Sequence, residues 1–568
     1  MPFDPLNPQK TGNRQPVKKP ADRNQPPKRR PNPAPRPSSA RPAPRPSSAR
    51  PASAAPSGRP ASARPSGVQK TASATGRVKK PAAASGRVSP SAPQRKKAAA
   101  GRGYQPKFAA KTGKKQPDPR IILVLFLVVF AAGLSLFCWK LGEAPESGGE
   151  TETFPQSTEL VTQTPELPQM VSQATITVTG DLLPHKTIYS KGSVIYQDQQ
   201  SYDFSPIFKY LKGYTDTADY AVANLETTLF GPEKAYSGNP KFNTPDALVD
   251  GAKGAGFDLL LTANNHCNDT GIEGVLRTVQ VIREKGLKAL GTNLDDSEQK
   301  YHIQELNGMK IGMLCYTYED SQNRDQVTFN YNPLPKAQSN LVCAFPKFTN
   351  AKSREPFYEK IAGQMAEMRQ AGADAIVVFL HWGEEYHLEP SADQRDMAQR
   401  LCDLGADVII GGHPHVVEPV ELITGSQDPS HKTVCLYSLG NAFSNQRREE
   451  MTTQKSGHTE DGMLFNITFQ KYSDDSVYLS QVEVIPTWVN KHMDGEDRRE
   501  YNILPLEQEK SDQWQTLFAM DEAAYLQAAD SYRRTMEIVG AGVTASNEWL
   551  TSQLPGQDPA ETEMPSIS

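Results

Sequence analysis

Cysteine is scarce. The chain has six in 568 residues, no two of them in a CxxC pair, which removes the paired-thiolate spacing of a structural zinc site. Cys138 lies at the end of an apolar run, and Cys267, Cys315, Cys343, Cys402 and Cys435 follow it, an odd set mostly in or beside apolar segments. They read as small buried hydrophobes with no obligatory disulfide framework, which suits a bacterial cell surface better than a eukaryotic secreted protein. Acidic residues are nearly missing from residues 1–120, where Asp4, Asp22 and Asp118 face 28 lysines and arginines. Aromatic and branched apolar side chains are also sparse there, whereas 24 of the 46 prolines fall in this stretch. Such a segment cannot bury enough apolar surface to offset its backbone entropy, so a disordered basic arm is predicted and a globular fold over the full length is excluded. The remaining residues hold 34 basic and 62 acidic side chains, so the two parts face different surroundings.

Between them lies 121–139, IILVLFLVVFAAGLSLFCW, which is uncharged and about as long as a bilayer-spanning helix requires. A buried core helix is rarely uncharged all round at this length, so the run reads as one transmembrane helix. Lys111, Lys114, Lys115 and Arg120 precede it and Glu143, Glu146 and Glu150 follow. That asymmetry predicts a single-pass type II protein of the cell membrane, with the N-terminus cytoplasmic and the C-terminal bulk outside. In the arm, APRPSSARP starts at Ala34 and again at Ala43, a compositional repeat. The arm reads as a polycationic tether for anionic lipid; the other reading is a docking tail for nucleic acid or a cytoplasmic partner. The lack of aromatics to stack on bases weighs against nucleic acid.

Residues 140–173 form an acidic, Thr/Pro-rich stalk, and from 174 the texture becomes that of an α/β domain running to 506. Buried strands are predicted at 174–179, 220–223, 259–262, 311–314, 375–380 and 408–410, with helices at 247–256, 271–285, 354–371 and 392–404. Later strands at 433–437, 462–469 and 477–488 have no helices between them and predict an antiparallel or mixed second sheet. Residues 507–568 would hold one helix, around 514–538, and a polar disordered tail from Pro555.

The polar residues at the strand ends carry the chemistry. The first strand ends in Gly180-Asp181 with His185 nearby, the second in Asn224 and Glu226, and the third in Asn264-Asn265-His266 with Asp269 following. Another leads into His381-Trp382-Gly383-Glu384, and another into Gly411-Gly412-His413-Pro414-His415. Carboxyl ends of strands in an α/β sheet converge on one crevice, so these clusters can meet although far apart in sequence. One histidine at a strand end is more often a structural residue; five such ends delivering carboxylate, amide and imidazole together favour a metal centre. Without thiolate, the donors suit manganese, iron or zinc in an open catalytic site. Two divalent ions sharing a carboxylate could clamp an oxyanion. Asn441, after the 433–437 strand, is a polar contact at the rim. Arg447 and Arg448 lie in a charged stretch, 446–461, that reads as a mobile loop.

Taken in order, GDLLPH, ANLET, TANNHCNDTGIEG, VFLHWGEEY, GADVIIGGHPHVVEP and YSLGNAFSNQ resemble the CapA-type poly-γ-glutamate capsule-synthesis proteins. Their domain is similar to the calcineurin-like metallophosphoesterases. The resemblance implies a two-sheet metallophosphoesterase-like sandwich flanked by helices. By resemblance Asp181 would bind the first metal and Glu226 would bridge. Asn265, His381 and His413 would hold the second metal, and His415 would return to the first. His266 looks like the histidine that protonates a leaving group, with Asp269 orienting it. His185, Asn224, Asn264, Glu384 and Asn441 are further metal or substrate candidates. Two positions depart from the phosphoesterase pattern: His185 falls four residues after Asp181, and the bridging place holds Glu where Asp is usual. The implied function is synthesis, export or anchoring of an anionic envelope polymer or its precursor, by a metal-dependent hydrolase or transferase site alongside membrane-embedded synthase components. The alternatives are a non-catalytic assembly factor, or a surface metallophosphatase unrelated to capsule.

Overall fold

The structure is a computed structural model that describes residues 166–557 apart from 324 and 348–350. The predicted arm (1–120), apolar run (121–139) and most of the stalk lie outside the described residues, as does the tail from 558. Among the described residues no helix is long and apolar enough to cross a membrane.

The chain begins with β1 (Met170–Leu182), β2 (Tyr220–Leu225), α1 (Ala247–Gly254), β3 (Leu259–Leu261), α2 (Ile272–Glu284) and β4 (Lys288–Leu290). The four strands pair parallel in that order. Next come β5 (His302–Leu306) and β6 (Met309–Glu319), an antiparallel pair. A small antiparallel ribbon follows, made of β7 (Ser321–Gln322), β8 (Gln326–Phe329) and β9 (Asn332–Pro335). Then β10 (Ala344–Pro346), α3 (Glu355–Gln370), β11 (Ala375–His381), α4 (Ala392–Asp403) and β12 (Val408–Gly412) alternate strand with helix. The remaining strands are β13 (Val417–Thr424), β14 (Lys432–Leu439), β15 (Asn441–Phe443), β16 (Asp461–Tyr472), β17 (Val477–Met493) and β18 (Arg499–Pro505). The long helix α5 (Glu522–Ser552) closes the fold.

Two large sheets result. One runs β18-β17-β16-β1-β2-β3-β4 with β15 beside β1, the other β10-β6-β11-β12-β14-β13 with β5 beside β6. Side chains alternate across each strand, and that alternation builds the layers. Val377 and Phe379 of β11 join Val178, Val222 and Leu261 of the first sheet in one apolar core between the sheets. Ile376, Val378 and Leu380 turn the other way, onto Phe357, Ile361 and Met365 of α3 and Met397 and Leu401 of α4. Ala221, Ala223 and Leu225 of β2 likewise face Leu248 and Val249 of α1 and Ile282 of α2. Strands buried on both faces need the continuous apolar runs seen in the sequence.

The later strands divide differently from the sequence expectation of one second sheet. β16 takes the free edge of β1 antiparallel, and β17 and β18 continue outward, so 462–469 and 477–488 extend the first sheet. Residues 433–437 belong to the other sheet, because β13 forms its outer edge and returns β14 parallel to β12. The helix expected at 514–538 is also different: a four-residue turn of helix at Trp514–Leu517 precedes α5, which runs on to Ser552. Val539 and Leu550 of α5 join the intersheet core. Gly542 makes this docking close, since a Cβ there would lie 1.8 Å from Val420 O.

Candidate metal centre

The carboxyl ends of β1, β2, β11 and β12 converge, and glycines permit the approach. A Cβ on Gly411 would lie 1.8 Å from Tyr437 O, and one on Gly412 would crowd Asp181 Oδ1 at 3.1 Å. Beyond Gly412 the chain turns sharply: His413 and His415 have φ of 99° and 57°. Non-glycine residues in that region each cost about 1–3 kcal/mol and persist where the surroundings dictate them.

Two groups of donor atoms form there, Glu226 with His381 and His413, and Asp181 with Glu226 and His415; within each group the atoms lie within 4.8 Å of one another. Glu226 belongs to both. It is fully buried, and among the described residues neither carboxylate oxygen has a hydrogen-bond partner, nor does His413 Nδ1. Buried polar atoms are rarely left so, and three of them aimed into one donor cluster are what a cation would satisfy. Glu226 Oε1 lies 3.5 Å from His381 Nε2 and 3.9 Å from both His415 Nε2 and His266 Nε2. The residues present therefore fit a divalent ion, with Glu226 the shared donor.

The surrounding contacts set the protonation states. Burial pushes His381 down to about 3, although Asp181 opposes this. Burial first, and then the neighbouring His381 and His415, hold His413 well below the imidazole range. Neutral imidazoles keep the lone pair that a metal needs. Burial works against ionisation of Asp181, but the His415 hydrogen bond and the charges of His381 and His415 outweigh it and hold its carboxyl low. His415 shows the converse: burial opposes its charge and the Asp181 hydrogen bond prevails, raising it. Glu226 is lifted well above the carboxylate range by burial, then by the charge of Asp181.

Asn265 Oδ1 stands 2.9 Å from His381 Nε2, on the side of the ring facing Glu226. Asn224 donates to Asp181 Oδ1 at 2.7 Å and is itself held by Asn264, whose Nδ2 donates to Asn224 Oδ1 at 3.2 Å and Leu225 O at 2.8 Å. Asn441 Oδ1 lies 3.1 Å from His415 Nδ1, while its Nδ2 donates to Thr459 O and Gln446 Oε1. It orients a cluster histidine from behind. His266 Nδ1 is 2.7 Å from Asp269 Oδ2, and the same oxygen accepts from Phe242 N.

Two candidates stand apart from both donor groups. His185 packs edge-on to Phe242 with its Nδ1 beside Leu183 O and Asn445 N, and burial lowers it to about 4. Glu384 points outward, 65% exposed, with His387 3.7 Å away. Arg447 and Arg448, read from sequence as parts of a solvated loop, converge instead on Glu460, with Arg447 buried.

The sequence reading missed Tyr318, Asn330 and Asn332. Tyr318, near the end of β6, has its hydroxyl 3.3 Å from His413 Nε2. Asn330 Nδ2 lies 3.2 Å from His266 Nδ1, and Asn332 Nδ2 donates to Asp269 Oδ1 at 2.9 Å. The last two come from the β8–β9 turn, whose only signal is NYNP between short apolar stretches. Tyr318 falls at a strand end like the other candidates, and that position was its available signal.

Residues 175–446 match the family model described as bacterial capsule synthesis protein PGA_cap. The PGA biosynthesis protein CapA of Bacillus subtilis is 30% identical over 240 residues, 41% of this chain and 56% of that protein. The capsule biosynthesis protein CapA of Bacillus anthracis is 27% identical over 347 residues, 59% of this chain and 70% of that protein. The match thus spans little more than half the length of the Bacillus subtilis relative. A solved structure of the sulfate thiohydrolase SoxB of Thermus thermophilus aligns at 13% identity and a TM-score of 0.30, covering 55% of this chain and 56% of that one, too slight a likeness to bear on fold or chemistry. Through residues 175–446 the chain is thus similar to the PGA_cap family of bacterial capsule synthesis proteins.

Proposed function

We propose that the domain is a metal-dependent hydrolase or transferase acting in the synthesis, export or anchoring of an anionic envelope polymer of the poly-γ-glutamate kind. The observation that carries this is Glu226: a buried carboxylate with two unpartnered oxygens, shared by two donor groups at the carboxyl ends of four strands. In this reading Asp181 and His415 would hold one ion, His381, His413 and Asn265 would hold a second, and Glu226 would serve both, in a metallophosphoesterase-like arrangement. Manganese, iron or zinc bound there would supply Lewis acidity toward a phosphoryl or carbonyl oxygen.

The chain's own residues do the rest. Asp269, fixed by Phe242 N and Asn332 Nδ2, holds His266 Nδ1 and so turns Nε2 toward Glu226. His266 Nε2 is then the atom from which a proton passes to the departing oxygen or nitrogen. Asn441 fixes the His415 ring, and the asparagine pair 224 and 264 fixes the Asp181 carboxylate. The polymer, the synthase partners and the membrane anchor at 121–139 belong to the same proposal; the names of the two Bacillus relatives support the polymer, and the uncharged apolar run supports the anchor.

The test is metal-dependent turnover by the full chain on a generic phosphodiester and on γ-linked glutamate oligomers. Turnover lost in Asp181→Ala supports the reading. Metal uptake without turnover of either class would favour the non-catalytic assembly role.

A further inference from the structure

Beside the cluster, on the far side of Tyr318 and Trp382, lies a cleft lined by Tyr318, Lys347, Arg354, Trp382, Gly383 and Gln394. Tyr318 joins it to the cluster, since its hydroxyl reaches His413, and Trp382 directly follows His381 in the chain. Arg354 precedes α3 and is only 3% exposed. Its Nη2 lies 2.7 Å from Asp393 Oδ1 and Tyr358 stands near the guanidinium, yet among the described residues Nε and Nη1 are buried with no hydrogen bond made. A guanidinium cannot shed its proton to escape this, and each buried donor left unmade costs about 1–3 kcal/mol. Lys347 brings a second cation, its Nζ 3.7 Å above the Tyr318 ring. Of the two acids on the cleft wall, Asp393 pairs with Arg354, and Glu384 is 65% exposed with His387 3.7 Å away.

We propose that this cleft is an oxyanion subsite, in which Arg354 Nε and Nη1 donate to a carboxylate or phosphate group with Lys347 at the entrance. As an anion site it stands by itself; as the place where the substrate's charged group is held during reaction, it rests on the function proposed above. The carboxylate source would be a residue of a γ-linked glutamate chain, the phosphate source a phosphoester. Asp393 competes with the ligand for the same guanidinium, so the two substitutions Arg354→Gln and Asp393→Asn act in opposite directions.

The experiment is calorimetric titration of the full chain, stripped of metal by a chelator, with γ-linked triglutamate and separately with inorganic phosphate at low salt. Wild type is expected to bind one of the two, and which one identifies the source. Arg354→Gln weakens that binding at least tenfold and Asp393→Asn tightens it. Binding of neither anion, or binding unaffected by Arg354→Gln, overturns the proposal. So does weakening by Asp393→Asn, which a merely structural role for the pair predicts and which remains readable if Arg354→Gln does not fold. Binding that behaves as expected in a protein without metal-dependent turnover would uphold the anion site and refute the catalytic reading instead.

Discussion

Arg534 Nε and Nη2 donate to Oδ2 and Oδ1 of Asp461 at 2.8 and 2.7 Å, pinning α5 to the first residue of β16. Both side chains are buried, and Ser531 adds a third bond to Asp461. This grip lies beyond residue 446, where the family match ends, but it is coupled to the cluster. Gly462 bridges Gly440, and Thr459 O accepts from Asn441, which orients His415. Removing one partner of a buried pair leaves the other charge uncompensated, so Arg534→Met is expected to cost about 3–5 kcal/mol in urea unfolding. The double variant Arg534→Met with Asp461→Leu should cost less than the single one.

Glu226 predicts a reversal of stability order. With metal removed, its buried carboxyl stays neutral only by holding a proton that the unfolded chain releases, so above the ordinary carboxylate range Glu226→Gln, neutral in both states, should be more stable than wild type. With manganese added, wild type gains binding free energy that the variant cannot, and the order inverts. Thermal melts with and without chelator read both signs.

Glu418 gives a pH dependence away from the cluster. Its Oε2 accepts from Gln394 Nε2 at 2.7 Å, its Oε1 has no partner, and burial lifts it from an ordinary 4.5 to about 8. A carboxyl whose folded value is raised contributes stability that is complete below the unfolded value and is lost as pH climbs through the folded one. Wild type should therefore lose stability relative to Glu418→Gln between pH 4.5 and about 8, read as the difference between their unfolding curves across that window.

His266→Ala should leave metal content intact and lower turnover roughly a hundredfold to ten-thousandfold, the range of a lost general acid. Asp269→Asn should lower turnover in the same direction, because the ring loses the carboxylate that holds Nδ1.

The strand ends were legible because strands buried on both faces are written as unbroken apolar runs, and the polar residue that stops each run is the one delivered to the crevice. Asp181, Glu226, His381 and His413 all announce themselves in this way. Asn330 and Asn332 do not, since they reach His266 and Asp269 from a ribbon whose strands are two to four residues long and too short for a period to register. The end of α5 was hidden for a different reason. Gly540 and Gly542 look like helix breakers, but Gly542 is where the helix backbone meets Val420 O, a packing requirement that local propensity cannot express. The fate of the later strands depended on which edge of β1 stood free, a matter of pairing between segments some 290 residues apart.

The most direct test of the account is elemental analysis of the full chain after loading with manganese, iron or zinc, for wild type and Glu226→Gln. A shared carboxylate predicts about two ions per wild-type chain and loss of both when Glu226 is changed, with the fold intact by circular dichroism. Undiminished metal content in Glu226→Gln would contradict the account.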